Sequence, residues 1–201
     1  KMSNQENNTT IPVLPPLGDR GLGFLVILGA GESGVGTALL GKQKGYKVFV
    51  SDKGKIAEKY KEVLLNNEID FEENLHTESK IFNADVVMKS PGIPDKVELV
   101  QKLIKNSIPV ISEIEFAAQF TDANIIGITG SNGKTTTTLL THHILKNVGL
   151  NVGIAGNIGD SFAKQILDKN HENYEAFLGN RRIVLCSPVL KIRWIFSKSK
   201  F

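Results

Sequence analysis

The chain has 201 residues, of which 41% are hydrophobic and 22% are charged. These values are typical of a globular protein with one sizeable domain or two small ones. No apolar run approaches the roughly 18 residues that span a bilayer, and the N-terminal stretch is polar, so we predict a cytoplasmic protein that does not bind membranes. The single cysteine, Cys186, excludes an internal disulfide and a cysteine-rich metal site.

The net charge of +3 comes from one end of the chain. Residues 181–201 have six basic and no acidic side chains, whereas the other 180 residues have 18 basic and 21 acidic ones. This basic tail carries no nucleic-acid recognition motif, so we predict no nucleic-acid partner and expect a monomer.

The hydrophobic pattern predicts strands that alternate with helices. Residues 1–21 are rich in Asn, Thr, Pro and Gly and predict a flexible lead-in. Short apolar runs bounded by Gly, Pro, Ser or Asp then predict buried strands, at residues 24–28, 47–51, 84–90, 108–112, 124–129 and 151–156. This alternation favours an α/β fold of parallel sheets, with a boundary between two units near Asp122.

Two segments show helical spacing. One covers residues 95–106, and the other follows Lys134, where Leu140, Ile144 and Val148 repeat every four residues before Gly149. His76 lies in a polar stretch, and we expect it to be solvated.

The first loop with phosphate-binding character follows the first predicted strand. Gly29, Gly31 and Gly34 fit the pattern G-x-G-x-x-G, which lets the backbone approach a pyrophosphate at a helix N-terminus. Asp52 lies 21 residues after Gly31 at the end of the next strand, where an acidic group can bond a ribose hydroxyl. The pattern therefore predicts a nucleotide site. The alternative is a glycine-rich turn that only packs a helix on a sheet.

The second loop is GITGSNGKTTTT, residues 127–138. A strict P-loop needs glycine at position 128, where this chain has Ile128, but the chemistry of the P-loop is present. Gly130 and Gly133 permit close backbone approach, Lys134 can reach β- and γ-phosphates, and Thr135 can ligate Mg²⁺. This predicts nucleoside triphosphate binding. The alternative is a helix N-terminus with an exposed lysine and capping threonines.

Two different nucleotide loops about a hundred residues apart give the chain a specific resemblance. Over residues 23–176 it resembles the Mur ligases of peptidoglycan synthesis, and Thr129 to Thr135 satisfies their T-G-[ST]-N-G-K-[ST] pattern in full. The run AGNIG at 155–159 favours the member of the family that adds D-glutamate. The motifs that carry the resemblance are LGAGESGVG, SDKG, KSPGIP, SEIEF, GITGSNGKTTTT and AGNIG.

The resemblance implies a Rossmann-like parallel-sheet domain at residues 22–121, which holds the UDP of a UDP-sugar. The start of a P-loop ATPase domain follows at 122–177. The family's contacts to the UDP substrate fall on Gly29, Gly31, Glu32, Ser33, Gly34, Asp52, Lys53, Ser90, Pro91, Gly92 and Asn157. Its ATP contacts fall on Gly130, Ser131, Asn132, Gly133, Lys134, Thr135 and Thr136.

The activity that the resemblance implies is an ATP-dependent ligase that adds D-glutamate to UDP-N-acetylmuramoyl-L-alanine. The substrate carboxylate attacks the γ-phosphate of ATP, and the amine then displaces phosphate from the acyl phosphate. Lys134 and a Mg²⁺ ion held by Thr135 would stabilise the transferring phosphoryl group. The alternatives are a UDP-sugar-binding module without turnover, or an NAD-dependent oxidoreductase that leaves the second loop unexplained.

The C-terminal tail departs from the family's pattern. Mur ligases continue after AGNIG to a glutamate that binds Mg²⁺, whereas no glutamate follows Glu175 here. We predict that residues 178–201 are an aberrant tail read in a shifted frame, because codons for Arg182-Ile183-Val184 read one base later can give Glu-Leu-Ser. We expect such a chain to lack ligase activity and its tail to expose apolar side chains, namely Ile183, Val184, Leu185, Ile192, Trp194 and Ile195.

Overall fold

The computed structural model describes residues 23–129, 131–156, 161–167, 176–179 and 192–196. The predicted lead-in at 1–21 lies outside these residues. Among the described residues, no helix has the length and apolar character needed to cross a membrane.

The first unit is built on a parallel sheet of five strands in the order β3-β2-β1-β4-β5. Strands β2 and β3 extend the sheet on one side of β1, and the later strands β4 and β5 extend it on the other side. The gap between the ends of β1 and β4 is therefore a topological switch point, where open α/β sheets bind ligands. The strands are β1 Phe24–Leu28, β2 Lys47–Asp52, β3 Asp70–Glu73, β4 Val86–Lys89 and β5 Val110–Ile111.

Helices cover both faces of this sheet. Leu25 and Ile27 of β1 share a hydrophobic cluster with helices on one face, and Val26 and Leu28 share another with helices on the opposite face. This double burial explains why β1 is a continuous apolar run. The helices are α1 Glu32–Gln43, α2 Glu58–Asn66, α3 Glu78–Ile81, α4 Glu98–Lys105 and α5 Glu113–Ala117, which continues into a 3₁₀ turn at Ala118–Phe120.

A second parallel sheet follows, with strand order β7-β8-β6-β9. Its strands are β6 Asn124–Thr129, β7 Val152–Ala155, β8 Ala176–Gly179 and β9 Ile192–Phe196, and its helices are α6 Lys134–Asn147 and α7 Phe162–Leu167. The described part of the predicted tail thus includes β9, which pairs with β6. Ile183, Val184 and Leu185 lie outside the described residues. The predicted exposure of the tail's apolar side chains, the shifted frame and the domain limits stay predictions.

The two sheets share one hydrophobic cluster. It joins Ile27 of β1 to Ile125 of β6 through buried residues of α1, α5 and α7, including Phe116 and Phe162. Phe162 also packs edge-to-face on Phe177 of β8, with ring centroids 4.9 Å apart. The contact between α7 and the first unit is therefore a buried one.

The parallel α/β fold predicted from the sequence is confirmed, with local differences. The sequence predicted no strand at β3, β8 or β9. The residues of β3, Asp-Phe-Glu-Glu, form no apolar run, and β3 lies at the edge of the described sheet. The helix after Lys134 is confirmed, but its four-residue repeat does not mark a buried face. Leu140, Ile144 and Val148 are 57%, 53% and 69% exposed, and Leu145 is the side chain that packs on the second sheet.

Candidate nucleotide-binding sites

The first glycine-rich loop leaves β1 at the switch point and is constrained by close contacts. Gly29 has a φ of +92°, and its N–H donates to the carbonyl of Ser51 at 2.9 Å. A Cβ atom at Gly34 would lie 1.9 Å from the Gly29 carbonyl oxygen. By contrast, nothing lies within 4 Å of the Cβ position at Gly31, which is exposed. The loop therefore needs glycine at 29 and 34 for its own packing and presents bare backbone at 31.

Helix α1 begins directly after this loop, at Glu32. Gly31 is the N-cap residue, has extended backbone and supplies no side-chain cap. The first amides of a helix have no partner within it and carry the positive end of the helix dipole, which favours phosphate. Ser33 is buried in the first turn, where its carbonyl accepts from Thr37 Oγ1 at 2.8 Å. This end of α1 has the geometry of an anion site.

Asp52 ties the end of β2 to the same loop. Its Oδ2 accepts from Ala30 N at 2.6 Å, and its Oδ1 accepts from Gly54 N at 2.8 Å. Among the described residues, these two bonds use two of the about four acceptor positions of a carboxylate. The predicted ribose contact stays a prediction, and Lys53 beside it is exposed.

The third segment of the first site follows β4. Ser90 N donates to Leu28 O at 2.9 Å, and Ser90 Oγ donates to Gly29 O at 3.2 Å, which fixes this segment against the glycine loop. Pro91 and Gly92 are exposed. The predicted site residues at the ends of β1, β2 and β4 therefore lie together at the carboxyl ends of these strands. Asn157 lies outside the described residues.

Two residues that the sequence did not single out hold Glu32. Lys164 Nζ of α7 lies 2.6 Å from Glu32 Oε1, and the Tyr60 hydroxyl donates to Glu32 Oε2 at 3.2 Å. The hydrogen bond from Lys164 is the main cause that lowers the pKa of Glu32 below its usual 4.5, although burial opposes it. Lys164 is 132 residues away along the chain, so no local pattern could indicate this contact.

His76 is half-buried and hydrogen-bonded rather than solvated, contrary to expectation. Its Nδ1 lies 2.7 Å from Ser51 Oγ, and the same hydroxyl donates to Glu72 Oε1 at 2.7 Å. Because Ser51 has one hydroxyl hydrogen and gives it to a carboxylate, His76 Nδ1 carries the hydrogen of the other bond. Burial lowers the pKa of His76 below 6.5, against the charges of Glu72 and Asp52, which raise it. The prediction that His76 is solvated was wrong because β3 pairs with β2 and so brings the charged segment around His76 beside Ser51.

The second loop connects β6 to α6, and its described residues 131–133 are neither helix nor strand. Ser131 and Asn132 are exposed, and Gly133 has a φ of +74° as the N-cap of α6. A left-handed residue followed by helical ones turns successive N–H groups toward one side, which makes a concave anion-binding nest. Lys134 Nζ donates to Ser131 O at 3.3 Å, so the lysine side chain folds over the loop.

The hydroxyls of the second loop lie on the first turn of α6. Thr135 and Thr136 are exposed there, while Thr138 is buried and donates to Lys134 O at 2.8 Å. The predicted residues from 131 to 136 are thus brought together, and Gly130 lies outside the described residues. Within the described ranges, no group of three or more His, Cys, Asp or Glu side chains could hold a metal ion.

The fold is shared with a solved structure. The chain superimposes with a TM-score of 0.51 and 21% identity on a crystal structure of UDP-N-acetylmuramate:L-alanyl-gamma-D-glutamyl-meso-diaminopimelate ligase from Neisseria meningitides. The match covers 79% of this chain and 52% of that one.

Curated relatives are much closer in sequence. The chain is 61% identical over 148 residues to a UDP-N-acetylmuramoylalanine--D-glutamate ligase of Christiangramia forsetii and 57% identical over 150 residues to one of Bacteroides thetaiotaomicron. These matches cover 74% and 75% of this chain but 33% and 34% of the relatives. The chain thus spans about a third of the length of the curated relatives that it matches.

Two family descriptions match separate parts of the chain. The MurD N-terminal domain matches residues 25–99, which contain the first loop and the segments after β2 and β4. The Mur ligase middle domain matches residues 128–184, which contain the second loop and α6. Both descriptions belong to the same group of enzymes and follow in the same order as the two sheets. The chain therefore belongs to the Mur ligase family.

Proposed function

We propose that the protein is the ATP-dependent ligase that adds D-glutamate to UDP-N-acetylmuramoyl-L-alanine in peptidoglycan synthesis. The observation that carries the proposal is the presence of two phosphate-type loops in one chain, each joining a parallel strand to the N-terminus of a helix. Relatives that are 61% and 57% identical bear the name of this ligase.

The first loop is the proposed site for the UDP part of the substrate. The amides at the start of α1 would receive the diphosphate, because Gly31 leaves the backbone open to it. Asp52 and Lys53 would contact the nucleoside, and Ser90, Pro91 and Gly92 would form the opposite wall. An NAD-dependent oxidoreductase would also use such a loop, but it would have no need of Lys134 and the threonines that follow.

The second loop is the proposed ATP site. Its residues fit a triphosphate because Gly133 is left-handed, Lys134 folds over the loop and Thr135 is exposed on the first turn of α6. The resemblance to the Mur ligases, whose middle domain matches residues 128–184, implies ATP and Mg²⁺ as cofactors. When bound, Mg²⁺ supplies positive charge beside the phosphate oxygens. Lys134 would add a cation that stabilises the γ-phosphoryl group as charge gathers on it, and Ser131, Asn132 and Thr136 would orient the chain of phosphates.

Binding and turnover are separate parts of this proposal. A reaction that consumes ATP and a UDP-sugar belongs in the cytoplasm, where we propose the protein acts as a monomer. The inactivity of these 201 residues alone stays a prediction, and phosphate release with UDP-N-acetylmuramoyl-L-alanine, D-glutamate and Mg-ATP measures it. Binding of both nucleotides without phosphate release is the result we expect of these residues, and normal turnover would contradict the predicted inactivity.

Substitution of Lys134 tests the ATP site. Charge-assisted hydrogen bonds contribute about 1.5–3 kcal/mol, so Lys134→Ala should weaken Mg-ATP binding by roughly ten- to a hundredfold in calorimetric titration. Lys146→Ala is the matched control, because Lys146 is exposed in the last turn of the same helix. Equal affinities of the two variants, or a wild-type protein that does not bind Mg-ATP, would contradict the proposal.

A further inference from the structure

The carboxylate of Glu32 presents an electrostatic problem for the proposed UDP site. Glu32 is the first residue of α1, so its negative charge lies at the helix end that would receive the diphosphate. Like charges at such short range oppose binding. The structure compensates this charge with Lys164, whose Nζ lies 2.6 Å from Glu32 Oε1.

Lys164 lies on α7 of the other unit, and α7 packs on α1 and α5. The N–H of Lys164 donates to Ser161 Oγ at 3.2 Å, and Ala163 N donates to the buried Glu113 Oε1 of α5 at 3.1 Å. A Cβ atom at Gly36 of α1 would lie 2.3 Å from Ser161 Oγ and 3.2 Å from Lys164 Cγ. The absence of a side chain at Gly36 is what lets the lysine stem lie across α1.

The ion pair between Lys164 and Glu32 is partly buried and has an additional hydrogen-bond partner, unlike an isolated ion pair on the surface. The side chains of Lys164 and Glu32 are 33% and 37% exposed, and Tyr60 holds the second carboxylate oxygen. The bond from Lys164 lowers the pKa of Glu32, so the carboxylate stays ionised at neutral pH. Its charge must therefore be balanced rather than removed by protonation.

We propose that Lys164 is a positioning residue of the UDP site: it draws the Glu32 carboxylate against α7 and cancels its charge, so that the first amides of α1 can bind a diphosphate. This inference rests on the proposed function of the first loop. It gives the second unit a direct role in UDP binding, through a cation that docks only when α7 packs on α1.

A double-mutant cycle with two ligands tests the inference. Lys164→Met leaves Glu32 uncompensated and should weaken UDP binding about fivefold, on the scale of one partly exposed ion pair, while uridine, which has no phosphate, keeps its affinity. Glu32→Gln removes the charge that Lys164 compensates, and because Glu32 is itself a predicted UDP contact, this variant is the reference for the double variant. The double variant Glu32→Gln, Lys164→Met should bind UDP within about twofold of Glu32→Gln. Lys105→Met, an exposed lysine at the end of α4, controls for the loss of one positive charge.

The outcomes separate the inference from the function on which it rests. Lys164→Met and the double variant both lack the contact between Lys164 and Glu32. Recovery of UDP affinity in the double variant to the level of Glu32→Gln therefore supports the inference even if both variants are less stable to urea than the wild type. If Lys164→Met binds UDP like Lys105→Met, or if the Lys164→Met substitution weakens UDP binding as much in the Glu32→Gln background as in the wild type, the inference is wrong and the UDP site stands. If the wild-type protein does not bind UDP, both are refuted.

Discussion

Substitution of Gly34 by Ala probes the geometry of the first loop directly. The new Cβ atom would lie 1.9 Å from the Gly29 carbonyl oxygen and 3.0 Å from its carbonyl carbon. Both are backbone atoms at the end of a central strand, so no side-chain rotation can relieve the contact. Real Cβ contacts are not shorter than 3.0 Å, and the oxygen and Cβ must therefore separate by at least about 1.1 Å.

The size of the effect follows from two opposing contributions. Overpacking of a well-packed site destabilises by about 1–3 kcal/mol, whereas Ala in place of Gly in a helix stabilises by up to about 1 kcal/mol. The net loss should be about 1–2 kcal/mol in the free energy of unfolding. With a urea slope of about 2 kcal/mol per molar, the unfolding midpoint should fall by about 0.5–1 M.

Gly31→Ala is the matched control, because nothing lies within 4 Å of its Cβ position. We expect its urea midpoint to stay within about 0.3 M of the wild type, on the scale of a surface substitution. UDP affinity should fall in Gly34→Ala as well, because the displaced Gly29 carbonyl belongs to the same loop. If Gly34→Ala is as stable as Gly31→Ala, the close approach of α1 to the end of β1 is wrong.

Three further substitutions test the packing around the two sites. Glu113→Ala removes the acceptor of Ala163 N in buried surroundings and should lower the free energy of unfolding by about 1–3 kcal/mol. Glu113→Gln keeps an acceptor oxygen and should lower it less. Equal urea midpoints for the two variants would contradict this role of Glu113. Because burial lowers the pKa of His76 below 6.5, the unfolded chain binds the proton more tightly, and stability should fall as pH drops from 6.5 through the folded pKa. His76→Gln should make this loss shallower in urea titrations at stepped pH, and an unchanged slope would rule out the linkage. Ile144→Ser should change stability by less than about 0.5 kcal/mol, since the side chain is 53% exposed, and a loss above 1 kcal/mol would show that α6 packs on that face.

The sequence predicts those parts of the sites that depend on backbone chemistry. Gly29, Gly34 and Gly133 occupy positions where a side chain would clash or where φ is positive, and such requirements leave a fixed spacing in the chain. Lys134 follows because a P-loop places its lysine at the first turn of the helix. These constraints are local, so one sequence is enough to read them.

Contacts between distant segments leave no such spacing. Lys164 and Tyr60 reach Glu32 from two different helices, and His76 meets Ser51 only because β3 lies beside β2. The edge strand β3 itself has charged residues because, among the described residues, β2 is the only strand that pairs with it. Helix α6 shows that a regular spacing can also occur without burial. Ile144 follows the four-residue period that is typical of a buried helix face, but its side chain is exposed.

The central claim is that one chain carries separate sites for UDP and for ATP. Calorimetric titration with UDP, followed by Mg-ATP on the UDP-saturated protein and by NADH in competition, tests it most directly. We expect one equivalent of each nucleotide to bind, with ATP affinity retained when UDP is bound and no displacement of UDP by NADH. Displacement of UDP by Mg-ATP or by NADH, or binding of a single equivalent in total, would contradict the assignment of two sites.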